Sequence, residues 1–225
     1  VLAVLDGQDK QPLGNQMPYR LVIFDCDGVL FESRKANEAF YNHIRARFDL
    51  PSMNQEEIDF VHMSTAEESV NRIMPDEKTR AGAQAYRLTV DYTPFARLMV
   101  MEPSLMDLLR FLRPKFKTAV STNRSSTINP ILKDRGLAPF FDLVVSSQDV
   151  SHPKPNPESI FLILDRLNIP AGEALFVGDS EVDAATAAAA GVSLAAYKNP
   201  ALPADFHIED LGRIKAIVTG RRLSR

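Results

Sequence analysis

Two aspartates separated by one residue, Asp25 and Asp27, follow the apolar run YRLVIF at 19–24. Side chains two apart on an extended chain point the same way, and adjacent carboxylates repel unless a cation or a proton intervenes. A hard divalent ion relieves that repulsion. Mg²⁺ suits, because it takes oxygen ligands and keeps waters and phosphate oxygens in its shell, with Asp179 the natural third protein ligand. Asp179 and Asp183 are four apart at the start of a helical stretch, hence on one face, where Asp183 either ligates directly or orients the waters of the metal. Lys154 would neutralise Asp25 and a bound phosphoryl group, and Thr122 would donate to its oxygens. An aspartate nucleophile, a second aspartate to protonate the leaving group, a metal and a lysine are a sufficient kit for phosphoryl transfer.

Those residues need elements that bring them together. Residues 19–24 read as a buried strand ending abruptly in DCDG,. Ser33 then caps a helix in which Ala36, Ala39, Phe40 and Ile44 recur at helical spacing through about Phe48, and Pro51 closes it,. Further helices are expected at 55–62, 66–74 and 76–92, with no strand between 34 and 100. From Ser104 the pattern becomes helix 104–112, strand 117–121, helix 125–135 and strand 142–146. A helix starting at Asn156 as N-cap with Pro157 at the first position follows. Strand 174–177, an alanine-rich helix 181–190, strand 192–197 and a short strand near 214–218 complete the alternation. Strands separated by helices imply an α/β fold, a parallel sheet covered on both faces with ligands at the carboxyl ends of the strands. Asp25, Asp27, Thr122, Asn123, Lys154, Asp179 and Asp183 all fall after such ends and so share one rim.

Composition narrows the partner. The 225 residues carry 26 Lys+Arg against 29 Asp+Glu, a formal net charge of -3. No dominant basic block is present, which argues against nucleic acid and anionic membrane and for a small molecule. Apolar stretches are too short to span a bilayer. The single cysteine, Cys26, cannot form an internal disulfide, so a cytoplasmic setting is expected,. Residues 1–16 are expected to lie outside the fold: the apolar patch Val1–Leu5 breaks at Asp6, is too short for a signal peptide and lacks a basic start, and Met17 directly precedes the first strand,.

Motif by motif, DCDGVLFES at 25–33, VSTN at 120–123, KPNPESIF at 154–161 and VGDSEVDAATAAAAG at 177–191 resemble the haloacid dehalogenase (HAD) superfamily. Within it they resemble the phosphoglycolate phosphatase and β-phosphoglucomutase-like branch. Phe31-Glu32 and Pro103-Ser104 depart from the branch pattern without touching reacting groups. The resemblance implies a three-layer Rossmann-like core of residues 17–33 and 101–225 with a small inserted α-helical cap at 34–100. It implies Asp25 as nucleophile forming an aspartyl phosphate, and Asp27 as general acid and then base. It further implies Mg²⁺ held by Asp25, the Asp27 carbonyl and Asp179, with Asp183 supporting. The expectation is a Mg²⁺-dependent phosphatase acting on a small soluble phosphomonoester. The alternative is a phosphomutase of the β-phosphoglucomutase type. Less favoured are a phosphonatase, for which Lys35 and Lys78 are the available cap lysines, and a catalytically silent HAD-like binding protein.

Simpler roles compete at several positions. His62, Ser64 and Thr65, with Met63, break two cap helices where the branch carries its specificity loop, so they are substrate-binding candidates together with Asn123, although Ser64 or Thr65 is equally needed as a helix cap. Cys26, between the two aspartates, is expected to turn toward the core. Arg124 and His152 flank motif residues and could touch the leaving group, but read first as solvated loop residues; Arg34, Lys35, Arg45 and Arg47 read as a solvated helix face, on which Arg34 or Lys35, nearest the site, could still meet a substrate anion. Oligomeric state is not expressed in these patterns.

Overall fold

A computed structural model describes residues 19–220; the expectation for residues 1–16 lies outside them. Strand β1 (Leu21–Phe24) and the two-residue strand β2 (Phe31–Glu32) lead into five helices, α1 (Arg34–Arg47), α2 (Gln55–Met63), α3 (Ala66–Ile73), α4 (Glu77–Arg87) and α5 (Thr93–Ala96). Strand β3 (Val100–Met101) returns the chain to α6 (Leu105–Leu112), β4 (Lys117–Ser121), α7 (Ile128–Asp134), β5 (Leu143–Val145) and α8 (Glu158–Leu167). The chain then runs through β6 (Ala174–Gly178), α9 (Glu181–Ala190), β7 (Ser193–Tyr197), β8 (Phe206–Ile208) and α10 (Ile214–Val218). Six strands form one parallel sheet in the order β5-β4-β1-β6-β7-β8.

The sheet sorts side chains by strand alternation. Val22, Phe24, Val120, Leu175 and Val177 pack on one face with Leu105, Leu108, Leu109 and Ile214. Leu21, Ile23, Ala119 and Phe176 pack on the other with Ile160, Ile163, Ala184 and Ala187. All four residues of β1 are buried because the strand is central and both faces are covered, which is why its sequence shows an unbroken apolar run,. The result is a three-layer α/β core. Alanines at 184, 187 and 190 let α9 lie close to the sheet.

The helical cap has its own core, built from Phe40, Tyr41, Ile44, Ile58, Val61, Val70, Ile73 and Met74. Its two connections to the sheet pair as an antiparallel ribbon, Phe31 with Met101 and Glu32 with Val100. This corrects the expectation of no strand between 34 and 100, since Val100 belongs to the ribbon. Two residues are too short a run to show a period. Below the ribbon, the Glu102 N–H donates to Leu30 O at 3.1 Å, and the buried Glu102 carboxylate accepts from Tyr197 Oη at 2.6 Å and Lys198 Nζ at 2.9 Å.

Other boundaries differ for local reasons. The expected helix 76–92 ends at Arg87, and a separate short turn with Pro94 near its start follows. Helix α7 starts at Ile128 rather than at 125. Helix α8 starts one residue later than expected, with Pro157 at the N-cap position and the Asn156 side chain accepting from the Glu158 N–H at 3.0 Å. Ser33 occupies the N-cap of α1 but makes no capping bond; its hydroxyl goes to Asp27. The segment 214–218, expected as a strand, is a helix, and the last strand lies at Phe206–Ile208.

Candidate active site

Asp25 is the first residue past β1, its N–H still bonded to Val177 O at 2.9 Å. Asp179 follows β6, and Asp183 lies in the first turn of α9. One carboxylate oxygen from each of Asp25, Asp179 and Asp183 lies within 4.8 Å of the others. Asp183 is fully buried. Its Oδ2 accepts from Ser180 Oγ at 2.7 Å and from the Asp179 and Ser180 N–H groups in a capping box, and its Oδ1 accepts from Lys154 Nζ at 2.6 Å. Lys154, 3% exposed at its side chain, also sits 3.0 Å from Asp25 Oδ1. It arrives from the loop after β5, just before α8.

Electrostatics follow from this crowding. Burial pushes the Asp25 carboxyl up to about 7, Lys154 pulling the other way and Asp183 and Asp27 adding to the rise. Burial, with Asp183 and Asp25 beside it, pushes Asp179 up to about 8. Burial alone would lower the Lys154 ammonium, but Asp183 and Asp25 hold it above its ordinary range. Carboxylates this strained, presenting only hard oxygen donors, fit a divalent cation such as Mg²⁺.

Asp27 is held differently. Its Oδ1 accepts from Ser33 Oγ and from Arg124 Nη2, the latter at 2.7 Å. Burial pulls its carboxyl upward, but Arg124 wins and keeps it below the ordinary carboxylate range. Arg124 is therefore not a solvated loop residue: its side chain is 8% exposed, it also donates to Asn37 Oδ1 at 2.9 Å, and its guanidinium lies 5.1 Å from the Tyr92 ring centroid. Its place directly after Thr122-Asn123 was the available signal. Asn37 and Tyr92, brought in from the cap, carried none.

Thr122 is 3% exposed and lines the cavity over Asp25, whereas the Ser121 hydroxyl points into the interior, 2.8 Å from Ser159 Oγ. Asn123 Nδ2 donates to Lys154 O at 3.0 Å and to Met63 O of the cap at 3.2 Å, while its buried Oδ1 has no partner. His62 and Ser64 line the cavity; burial lowers the His62 imidazole, which lies 3.3 Å from Asn37 Nδ2. Thr65 does not join them. Its hydroxyl and N–H form a capping box with Glu68, so the capping role outweighs the substrate-binding one expected from sequence. Cys26 is fully buried, as alternation requires. His152 is exposed and contacts Glu158, and Arg34 pairs with Asp59, both side chains partly exposed.

Comparisons with known proteins match this geometry to a family. The sequence model of the haloacid dehalogenase-like hydrolases matches residues 22–197. The pyrophosphatase PpaX of Bacillus pumilus is 30% identical over 183 residues, covering 80% of this chain and 84% of that protein. A phosphoglycolate phosphatase of Pectobacterium atrosepticum is 30% identical over 184 residues, covering 76% and 77%. A HAD-superfamily hydrolase of subfamily IA from Geobacter sulfurreducens superposes with a TM-score of 0.75 at 35% identity, covering 91% of this chain and 99% of that one. With a matched segment running from β1 to the end of β7, the chain belongs to the haloacid dehalogenase-like hydrolase family, as one of its phosphoric monoester hydrolases.

Proposed function

We propose that the protein is a Mg²⁺-dependent phosphatase that hydrolyses a small-metabolite phosphomonoester through an aspartyl phosphate on Asp25, in the manner of a phosphoglycolate phosphatase. One observation carries the reading: Asp25 sits 3.0 Å from Lys154 and within the 4.8 Å cluster of Asp179 and Asp183, under a cavity that Thr122 also lines. The names of relatives, a phosphoglycolate phosphatase and a pyrophosphatase, point to the same chemistry.

Mg²⁺ held by Asp25, Asp179 and the Asp27 main-chain carbonyl would supply the positive charge that offsets the phosphoryl oxygens and the clustered carboxylates. An Asp25 carboxylate oxygen attacks phosphorus as the bond to the leaving oxygen breaks, and Asp27 hands its proton to that oxygen. Asp27, now ionised, takes a proton from water, which attacks the acyl phosphate and frees Asp25. Arg124 and Ser33 hold Asp27 in the ionised form that the second step uses; the first step needs its acid form and hence a loosened Arg124 contact. Lys154 shares its charge between Asp25 and the phosphoryl group, Thr122 donates to that group, and Asp183 fixes Lys154 and the turn that carries Asp179. The cap contacts through Met63 and Asn37 exclude bulk water,.

The phosphonatase alternative loses its footing, because neither Lys35 nor Lys78 is among the residues lining the cavity. The test is phosphate release from a panel of phosphate esters with Mg²⁺. Wild-type protein should release phosphate from at least one small ester, and Asp25→Asn should abolish release while leaving thermal unfolding intact. Near-wild-type turnover by Asp25→Asn overturns the nucleophile, and an isomerised sugar phosphate without free phosphate overturns hydrolysis in favour of mutase activity.

A further inference from the structure

Ser180 is the N-cap of α9, so its carbonyl takes the first helical bond, from the Ala184 N–H at 3.1 Å. The carbonyl of Asp179, one residue earlier, stands outside that ladder and needs a donor of its own. Asn199 supplies it: its Nδ2 donates to Asp179 O at 2.8 Å from the loop that follows β7. On the other side of the same residue, the Asp183 carboxylate accepts from the Asp179 N–H at 3.2 Å. The peptide groups on both sides of the Asp179 α-carbon are thus tied to side chains, which fixes the direction in which its carboxylate leaves the backbone.

The loop that carries Asn199 is itself held. Lys198 has a φ of +52°, a left-handed conformation that residues with a side chain seldom adopt and that persists only where the surroundings fix it,. Its N–H donates to Ile208 O at 2.9 Å, and its ammonium lies 3.0 and 2.9 Å from the two carboxylate oxygens of Glu102. Tyr197 Oη donates to the same buried carboxylate at 2.6 Å. Glu102 directly follows β3, the strand by which the cap returns to the sheet. The base of the cap and the turn of Asp179 are therefore joined through two adjacent residues, Lys198 and Asn199. Asn199 also has a local task, since its Oδ1 accepts from the Ala201 N–H at 3.3 Å, the short turn that asparagine commonly makes,.

We infer that Asn199 is a positioning residue that aims Asp179 at the metal, and that the bridge from Glu102 to Tyr197 and Lys198 braces it. This rests on the Mg²⁺ reading above. Groups that orient a metal ligand without touching the metal are worth about tenfold to a hundredfold in metal affinity. A residue that only shapes its own loop is worth nothing there.

Calorimetric titration with Mg²⁺ in the absence of substrate tests it, beside urea midpoints measured with a chelator present. Asn199→Ala should weaken Mg²⁺ binding by about tenfold or more, with a urea midpoint close to that of the wild type. Asn199→Ser keeps an acceptor for the Ala201 N–H but has no amide to donate to Asp179, so its Mg²⁺ affinity should be as low as that of Asn199→Ala. Glu102→Gln should weaken Mg²⁺ binding by a smaller factor. Added to Asn199→Ala it should cost less than the product of the two single losses, because the brace acts through Asn199. Wild-type Mg²⁺ affinity in Asn199→Ala overturns the inference, and wild-type affinity in Asn199→Ser assigns Asn199 to its local turn and overturns it too. Losses that multiply in the double variant overturn the brace. A wild-type protein that binds no Mg²⁺, or whose binding is untouched by Asp179→Asn, overturns the metal reading itself and this inference with it.

Discussion

Lys154 Nζ lies 2.6 Å from Asp183 Oδ1, both side chains essentially out of solvent, while the same ammonium reaches Asp25 at 3.0 Å. One cation thus joins the carboxylate that caps α9 to the carboxylate placed to attack phosphorus. Breaking a buried pair by removing one partner costs about 3–5 kcal/mol, since the other charge is stranded. Asp183→Ala should therefore lower stability on that scale and also disable the site, because the capping bonds to Ser180 and the Asp179 N–H go with it. Asp183→Asn, which keeps an acceptor, should lose less. Urea midpoints of the two variants check the order; an unchanged midpoint for Asp183→Ala would show that the pair is not structural.

Gly28 tests the metal set from a different direction. Its φ is +79°, and a Cβ there would stand 2.0 Å from Asp179 Oδ2. Gly28→Ala must displace either the loop or that carboxylate, while the sheet beneath it keeps its packing. The expected outcome is a Mg²⁺ requirement raised by at least about tenfold, the lower scale seen on disturbing groups around a metal, with a modest change in melting temperature. Titration of activity against Mg²⁺ distinguishes this from general unfolding.

The sheet and the rim were legible because each strand of the core is either an unbroken apolar run or ends in a polar cluster. Leu21–Phe24 followed by Asp25, and Ala174–Gly178 followed by Asp179, show this directly. The last elements were not. Ile214, Ile217 and Val218 are buried at helical spacing, but the β-branched run IKAIV also suits a strand, and five residues are too few to separate the periods,. β8 was hidden because Phe206–Ile208 spans three residues with exposed His207 between half-buried Phe206 and buried Ile208. Arg124 was weighted toward solvent for a tertiary reason. Its burial depends on Asn37 and Tyr92, which no local pattern connects to it.

Thr65 separates capping from substrate contact. Its Oγ1 accepts from the Glu68 N–H at 3.2 Å and the Glu68 carboxylate returns to its N–H at 2.9 Å. Loss of an N-cap hydroxyl costs about 0.5–2 kcal/mol. Thr65→Ala should lower stability within that range and leave kcat/KM near wild type, with Thr65→Ser restoring the loss. A selective change in KM without a stability change would return Thr65 to the substrate site.

Metal binding should be steeply pH-dependent, and the sign follows from the raised carboxyls. Asp25 stands at about 7 and Asp179 at about 8 against an ordinary 3.8. Between 3.8 and those values the folded state holds more protons than the unfolded one, so these two groups make metal-free stability fall as pH rises through that window,. His62, lowered by burial, acts in the opposite sense just below its ordinary 6.5, so the absolute melting temperature mixes the two. The difference with and without Mg²⁺ isolates the site. Mg²⁺ needs the carboxylates ionised and displaces their protons, so its affinity should weaken by about tenfold for each pH unit below 7 per proton displaced. The thermal shift produced by a fixed Mg²⁺ concentration should accordingly be small at pH 5.5 and largest near pH 8. In Asp25→Asn one titrating carboxyl is gone, and the pH dependence of that shift should become shallower. A Mg²⁺-induced shift that stays constant from pH 5.5 to 8 in the wild-type protein would mean that the cation binds away from Asp25 and Asp179.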